Sequence, residues 1–264
     1  MRATGVKIAG MIGDRLGTGG RPHYGWDAPG VTIGMAASGA AALVLGTVLW
    51  TWSPFAYANA IGAVLAALGA ILLLMCLASV RYVTSGKLRT RDAILDLVAW
   101  RGDEAVLDVG TGAGLLMIGA AKRLTKGGRA IGIDIWSAKD LSNNSPETTR
   151  RNIAIEGVSD RAEVRTENAT RLPFPDASFD VVLSLLCLHN IEPDSDQAVA
   201  CREIARVLKP GGRVVIGDYV RTHRYAVPLR DAGLEILRSS FGFSVLAVPM
   251  WLLVADKPAA QARS

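Results

Sequence analysis

Charge is absent from one long part of this sequence. Between Asp27 and Arg81 there is no Asp, Glu, Lys or Arg over 53 positions. Cysteine is scarce as well. Cys76, Cys187 and Cys201 have no spacing that suggests a zinc site, and a disulfide framework is not expected, so a reducing cytoplasm fits. The three histidines, His23, His189 and His223, form no metal motif. There is no long Lys/Arg run, and aromatic residues make up only 6%. The formal net charge is +5. Arg2, Lys7, Arg15 and Arg21 against Asp14 and Asp27 supply +2 of it, leaving +3 for the rest. That is too little for a nucleic-acid surface, so no nucleic-acid partner is expected.

What is present is apolar residues, 50% of the chain. As one helix, the charge-free stretch would be about 80 Å long at 1.5 Å per residue. A bilayer core needs about 30 Å. Pro54 lies mid-stretch, so two spans are expected, near 31–52 and 57–79. Trp50, Trp52, Phe55 and Tyr57 would form an aromatic belt at the turn, and Tyr24, Trp26 and Tyr82 would mark the opposite interface. Arg15 and Arg21 before the spans and Arg81, Lys87, Arg89 and Arg91 after them place both termini in the cytoplasm by the positive-inside rule. The expected location is therefore the cytoplasmic membrane, with two spans. Gly62, Ala66 and Ala70, spaced by four, permit close helix contact within the hairpin or between two chains as a homo-oligomer. Two other readings are weighed. A cleaved signal could end at "AYA", 56–58, but a signal core is about 7–15 residues and a second span follows directly. Two buried helices of a soluble protein would not usually go so long without charge.

From Leu88 the texture changes. "KLRTRDAILDLVAW" reads as an amphipathic helix and "AVLDV" at 105–109 as a strand, followed by a glycine turn and a helix at 113–124. Further strands are expected at "RAIGID", "RAEVRTEN", "FDVVLSLL" and "RVVIGDY". Helices are expected at "SPETTRRNIAIEG", with Ser145 as N-cap, and at "DQAVACREIARVL", stopped by "KPGG". A helix "PLRDAGLEILRSSFG" and strands near 242–247 and 250–255 complete the pattern. This alternation predicts an α/β fold with a doubly wound, mainly parallel sheet. The expected layout is a segment 1–30, a hairpin 31–80 and a catalytic domain 81–264.

In such sheets ligands bind at the carboxyl ends of the strands. Three polar loops lie there: Gly110–Gly114, Asp134 after strand two, and "ENATRLPFPD" with Asn168. A dinucleotide fingerprint is G-x-G-x-x-G/A. Here the glycines are Gly110, Gly112 and Gly114, and the sixth position is Leu115. Asp108 just before the turn would repel a pyrophosphate. It suits a ligand with a positive end and an amine, so S-adenosyl-L-methionine fits better than NAD.

"VLDVGTGAG", "IGIDIW", "ATRLPFPDASFDVVLSLLCLHNI" and "REIARVLKPGGRVVIGD" together resemble, in order and spacing, the class I S-adenosylmethionine-dependent methyltransferases. The resemblance covers about residues 82 to 255 and says nothing of residues 1–80. It implies a Rossmann-like seven-stranded methyltransferase sheet with the last strand antiparallel. It also implies cofactor contacts from Asp108, Gly110, Thr111, Gly112 and Gly114, from Asp134 and Ile135 after strand two, from Asn168 and Ala169 after strand three, and from Leu185 at strand four. Asn168 departs from the family, where Asp often stands. Trp136 covers the adenine or simply packs. Asp108 could instead cap the next helix together with Thr111.

His189, after strand four, is a candidate general base, since imidazole titrates close to neutral pH. A structural histidine is the bland reading. Asp218, at the end of strand five, is a second catalytic candidate. Cys187 reads as packing. "SLLCLHNI" is not the N-P-P-aromatic type used on amino groups. The hairpin favours a small hydrophobic or lipid-like acceptor: a lipid, a quinone or an isoprenoid. The competing reading is a membrane-tethered protein that binds S-adenosylmethionine without turning it over.

Overall fold

A computed structural model describes residues 20–26, 29–137, 141–220, 222–245 and 248–259. Most of segment 1–30, including Arg15 and Asp27, lies outside the described residues, as do positions 246–247 of one expected strand.

The charge-free stretch forms two helices, α1 (Pro29–Trp52) and α2 (Ala56–Arg81), either side of a short turn at Pro54. They pack against each other through glycine. A Cβ at Gly46 would fall on the backbone of Ala66, one at Gly62 on Trp50, and one at Gly69 on Leu43. Small residues let the two backbones touch. The stripe that includes Gly62 and Ala66 is thus used inside the hairpin. The outer faces stay uncovered, with only 17% and 11% of the most apolar windows buried. Both helices are long and apolar enough to cross a membrane.

α2 runs through a π-helical turn (Tyr82–Gly86) into α3 (Lys87–Leu95). The helix expected over 87–100 therefore stops early, at Leu95. The Trp100 indole N–H donates to the Leu95 carbonyl (2.8 Å), and Arg213 donates to the Leu97 carbonyl (2.8 Å). These partners satisfy carbonyls that another helical turn would have taken.

The remaining elements are β1 (Ala105–Val109), α4 (Leu115–Ala121), β2 (Arg129–Asp134), α5 (Pro146–Ile155), β3 (Ala162–Thr166), β4 (Phe179–Leu185), α6 (Asp194–Val207), β5 (Leu208–Asp218), α7 (His223–Asp231), β6 (Glu235–Val245) and β7 (Val248–Asp256). Ser145 caps α5 as expected, its hydroxyl accepting from Thr148 N, with Pro146 at the first helical position. The sheet order is β3-β2-β1-β4-β5-β7-β6, with β7 antiparallel to both neighbours. This is the seven-stranded arrangement that the resemblance implied.

Two expectations fail at the carboxyl end. "KPGG" does not lie outside strand five but inside it, with a register shift opposite Phe179 and Val181. The helix expected over "PLRDAGLEILRSSFG" ends at Asp231, because Gly233 takes φ +91° and turns the chain. Glu235 onward is strand instead. Its apolar residues sit at helical spacing, but pairing with β7 supplies the backbone hydrogen bonds, and tertiary pairing outweighs local pattern.

Side chains alternate across the sheet. Leu107, Val109, Val182, Val214 and Ile216 face one core, with Ile204, Tyr225 and Leu229. Val106, Val181, Leu183 and Val215 face the other, with Ile94, Leu116 and Met117. Asp108 shares the second face, which aims it at α4.

Candidate active site

β1 ends in a loop that only glycine could trace. Gly110, Gly112 and Gly114 take φ of +74°, +50° and +88°. A Cβ on Gly110 would also collide with Cys187 Sγ. Backbone N–H groups of Gly110 and Thr111 both donate to the Ile133 carbonyl at 2.9 Å, tying the turn to β2.

Asp108 is buried at the foot of this loop. Its Oδ2 accepts from Thr111 Oγ1 (2.8 Å) and from Met117 N (2.9 Å) at the start of α4. The helix-capping role weighed from sequence is therefore real. Burial nevertheless pushes its carboxyl up to about 7, with the nearby Asp134 charge adding to the rise and the two hydrogen bonds opposing it. No cationic side chain contributes to that shift, and a positive group placed beside Asp108 would favour its ionised form.

Asp134 closes the other side. It accepts from Gly112 N (2.8 Å), Trp136 N (2.6 Å) and Asn144 Nδ2 (3.3 Å). Trp136 sits at φ +63°, and its indole donates to Thr166 Oγ1. Ile135 is exposed at 66% beside it. Asn168 Oδ1 accepts from Thr170 N and Thr170 Oγ1, both at 2.9 Å. Its oxygen is spent locally, and its amide N–H₂ is the group left to address a base edge. Ala169 is buried next to it, and Leu185 ends β4 on the same rim.

The two catalytic candidates meet. His189 Nδ1 lies 2.8 Å from Asp218 Oδ1, close but off the axis of a straight hydrogen bond. Asp218 is fully buried, and its other oxygen accepts from Tyr225 OH (2.9 Å). The Tyr219 ring packs edge-on to His189 at 4.3 Å between centroids. Burial raises the Cys187 thiol well above its usual range, so it is an inert wall rather than a nucleophile.

One cavity of about 880 Å³ takes in Asp108, the glycine loop, Asp134, Asn168, Leu185 and His189. Sequence reading missed its far wall. Residues of the hairpin base, among them Met35, Met75 and Val83, line the same cavity, as do Tyr24 and Trp26. The segment 20–26 crosses the site as a strap. His23 N donates to Asn152 Oδ1, Asn152 Nδ2 donates back to the His23 carbonyl and to that of Ala113, and Tyr24 OH donates to Glu156 (2.7 Å). Buried Lys87 donates to the carbonyls of Tyr24 and Gly25. Tyr24, Trp26 and Tyr82, expected as interface markers, thus pack on this site. Tyr24 meets its partner Glu156, 132 positions away, and no local pattern in the sequence signals that contact.

A family model described as "Methyltransferase domain" matches residues 107–216. The 27-O-demethylrifamycin SV methyltransferase of Amycolatopsis mediterranei (strain S699) is 30% identical over 195 residues, 64% of this chain and 67% of that protein. The chain belongs to the S-adenosylmethionine-dependent methyltransferases. The demethylmenaquinone methyltransferase of Lactiplantibacillus plantarum is 42% identical over 110 residues, 42% of this methyltransferase and 43% of that one. The chain thus spans about two thirds of the first relative and less than half of the second. A solved S-adenosylmethionine-dependent methyltransferase from Aquifex aeolicus shares the fold, with a TM-score of 0.53 at 20% identity over 66% of this chain and 91% of that one. The cofactor of this methyltransferase is S-adenosyl-L-methionine. The site suits it: a glycine-rich loop that permits close approach, an acid on the rim at Asp134, a buried acid at Asp108, and apolar walls.

Proposed function

We propose that this methyltransferase is membrane-anchored and acts on a small hydrophobic or membrane-dissolved acceptor, with His189 as the base. The observation that carries the reading is that one cavity joins the cofactor loop, the His189–Asp218 pair and the base of the apolar hairpin. The named relatives include a demethylmenaquinone methyltransferase, which agrees with an apolar acceptor.

Bound S-adenosylmethionine supplies a methyl carbon activated by a sulfonium. Asp134 would hold its ribose hydroxyls and Asp108 its amine. Asn168 and Ala169 would flank the adenine, with Ile135 and Trp136 on the open side. Gly110, Thr111, Gly112 and Gly114 let the backbone approach closely. Leu185 and Cys187 give the reacting region an apolar wall. An apolar wall would leave the sulfonium charge unsolvated by water, which favours its dispersal, and positioning of the two reactants would account for much of the rate. With Nδ1 turned to Asp218, Nε2 of His189 takes the proton that an acceptor hydroxyl or ring carbon gives up. Asp218 orients the ring, and Tyr225 fixes Asp218.

The anchoring topology follows from the same features. α1 and α2 span the bilayer, the Ser53–Phe55 turn lies outside, and the basic flanks and the catalytic domain lie in the cytoplasm.

The test is methyl transfer by the hairpin-containing chain in lipid nanodiscs. Methylation of a prenylated hydroquinone, lost in His189→Asn with S-adenosylhomocysteine binding retained, supports the reading. Binding of S-adenosylhomocysteine with no transfer to any apolar acceptor would favour the tethered binding protein instead.

A further inference from the structure

We infer that the acceptor enters this cavity sideways from the bilayer, through a portal between Met35 on α1 and Met75 on α2, which hold its apolar tail. The inference rests on the proposed membrane-anchored reading and adds a role for the hairpin: it is part of the acceptor site as well as an anchor.

The portal's depth is set by the sequence. Met75 stands six positions before Arg81, about 9 Å along α2, and Met35 stands six positions after Pro29, where α1 starts, again about 9 Å. The headgroup layer accounts for roughly 5–8 Å on each side of a bilayer. A cavity wall formed by these methionines therefore reaches past the headgroups into hydrocarbon. Met75 is 42% exposed and also lines the cavity. In the proposed anchoring it would meet both the lipid and the site. Val31 and Val83 extend the same apolar wall.

Water reaches the cavity on the side of Ile135 and Tyr219, which are 66% and 48% exposed, whereas the hairpin side is bounded by the segment 20–26. The strap 20–26 lies over the site, pinned by Asn152, Glu156, Lys87 and Ser142. Trp26 donates to Thr32 Oγ1 at the foot of α1, which ties the strap to the hairpin base. Methionine suits such a gate. Its unbranched thioether adapts to tails of different shape. An occupant of this site has a compact head with a transferable proton at His189 and an apolar tail directed to the methionines.

The experiment uses the full chain in phosphatidylcholine nanodiscs and a dodecyl phenol carrying a terminal alkyl diazirine. Light fixes the tail to its neighbours, and mass spectrometry maps the label. The expected label falls on peptides holding Met35 or Met75. It drops about tenfold or more in Met35→Trp/Met75→Trp, where bulk fills the portal, and persists in Met35→Ala/Met75→Ala. S-adenosylhomocysteine binding, unchanged in both variants, reports an intact domain. Label spread equally over the outward-facing Val64 and Leu74, or a Trp variant labelled like the parent, overturns the portal. Label at Met35 and Met75 with no methyl transfer to any phenol or hydroquinone keeps the portal and removes the acceptor reading. Equal transfer to a tailless phenol and a dodecyl phenol, without label at the methionines, keeps the transfer and removes the portal.

Discussion

Asp108 and His189 carry the proposed chemistry at the residue scale. Asp108 has a carboxyl raised from 3.8 to about 7, with burial as the main cause. A raised carboxyl favours the folded chain fully below about 3.8, and that contribution is lost as pH rises through about 7. Asp108→Asn without cofactor therefore unfolds at a higher temperature than the parent at pH 8, and the gap narrows as pH falls from 7 towards 4, as calorimetry would read. A cofactor ammonium demands the ionised form. S-adenosylhomocysteine binding to the parent then tightens with rising pH, by up to about tenfold per unit below pH 7, and levels off above it. Asp108→Asn flattens that profile and weakens binding. His189→Asn lowers kcat by about a hundredfold or more, the range of general-base removal, while binding of S-adenosylhomocysteine holds. Legibility at this scale was uneven. The glycines, Asp108 and Asp134 sit in short local motifs, and their chemistry is visible in the residues themselves. His189 and Asp218 were each singled out, but their approach to 2.8 Å spans 29 positions and follows only from β4 and β5 lying side by side.

The elements that matter most are the strap and the hairpin. Asn152→Ala would strip partners from His23 N and from the His23 and Ala113 carbonyls. Leaving such groups unpaired costs about 1–3 kcal/mol. Faster amide exchange at residues 22–26 and weaker S-adenosylhomocysteine binding are the expected readouts. In the hairpin, Gly62→Leu would drive a side chain into the Trp50 backbone. Overpacking of this kind costs about 1–3 kcal/mol, read as a lower unfolding temperature in detergent with the domain's cofactor affinity retained. The hairpin was legible because missing charge is a one-dimensional signal. The strap was not, because Tyr24 and Glu156 lie 132 positions apart and neither residue is unusual on its own. β6 was misread for the opposite reason: its local pattern was clear and helical, and pairing with β7 overrode it.

For the whole molecule, the central relation is between two parts that sequence treats separately. The methyltransferase sheet presents Asp108, Asp134 and His189 at its carboxyl edge, and the apolar hairpin docks its base on the same cavity. On the proposed reading, such an enzyme would draw one reactant from water and the other from lipid. The most direct measurement is partition of label. The chain in nanodiscs doped with a lipid extract is given S-adenosylmethionine carrying a tritiated methyl group, and the mixture is then separated into organic and aqueous phases. Tritium in the organic phase with the parent, and none with His189→Asn, is the predicted result. Tritium confined to a water-soluble product, or equal organic label from both chains, would contradict a methyltransferase that works on membrane-dissolved acceptors through His189.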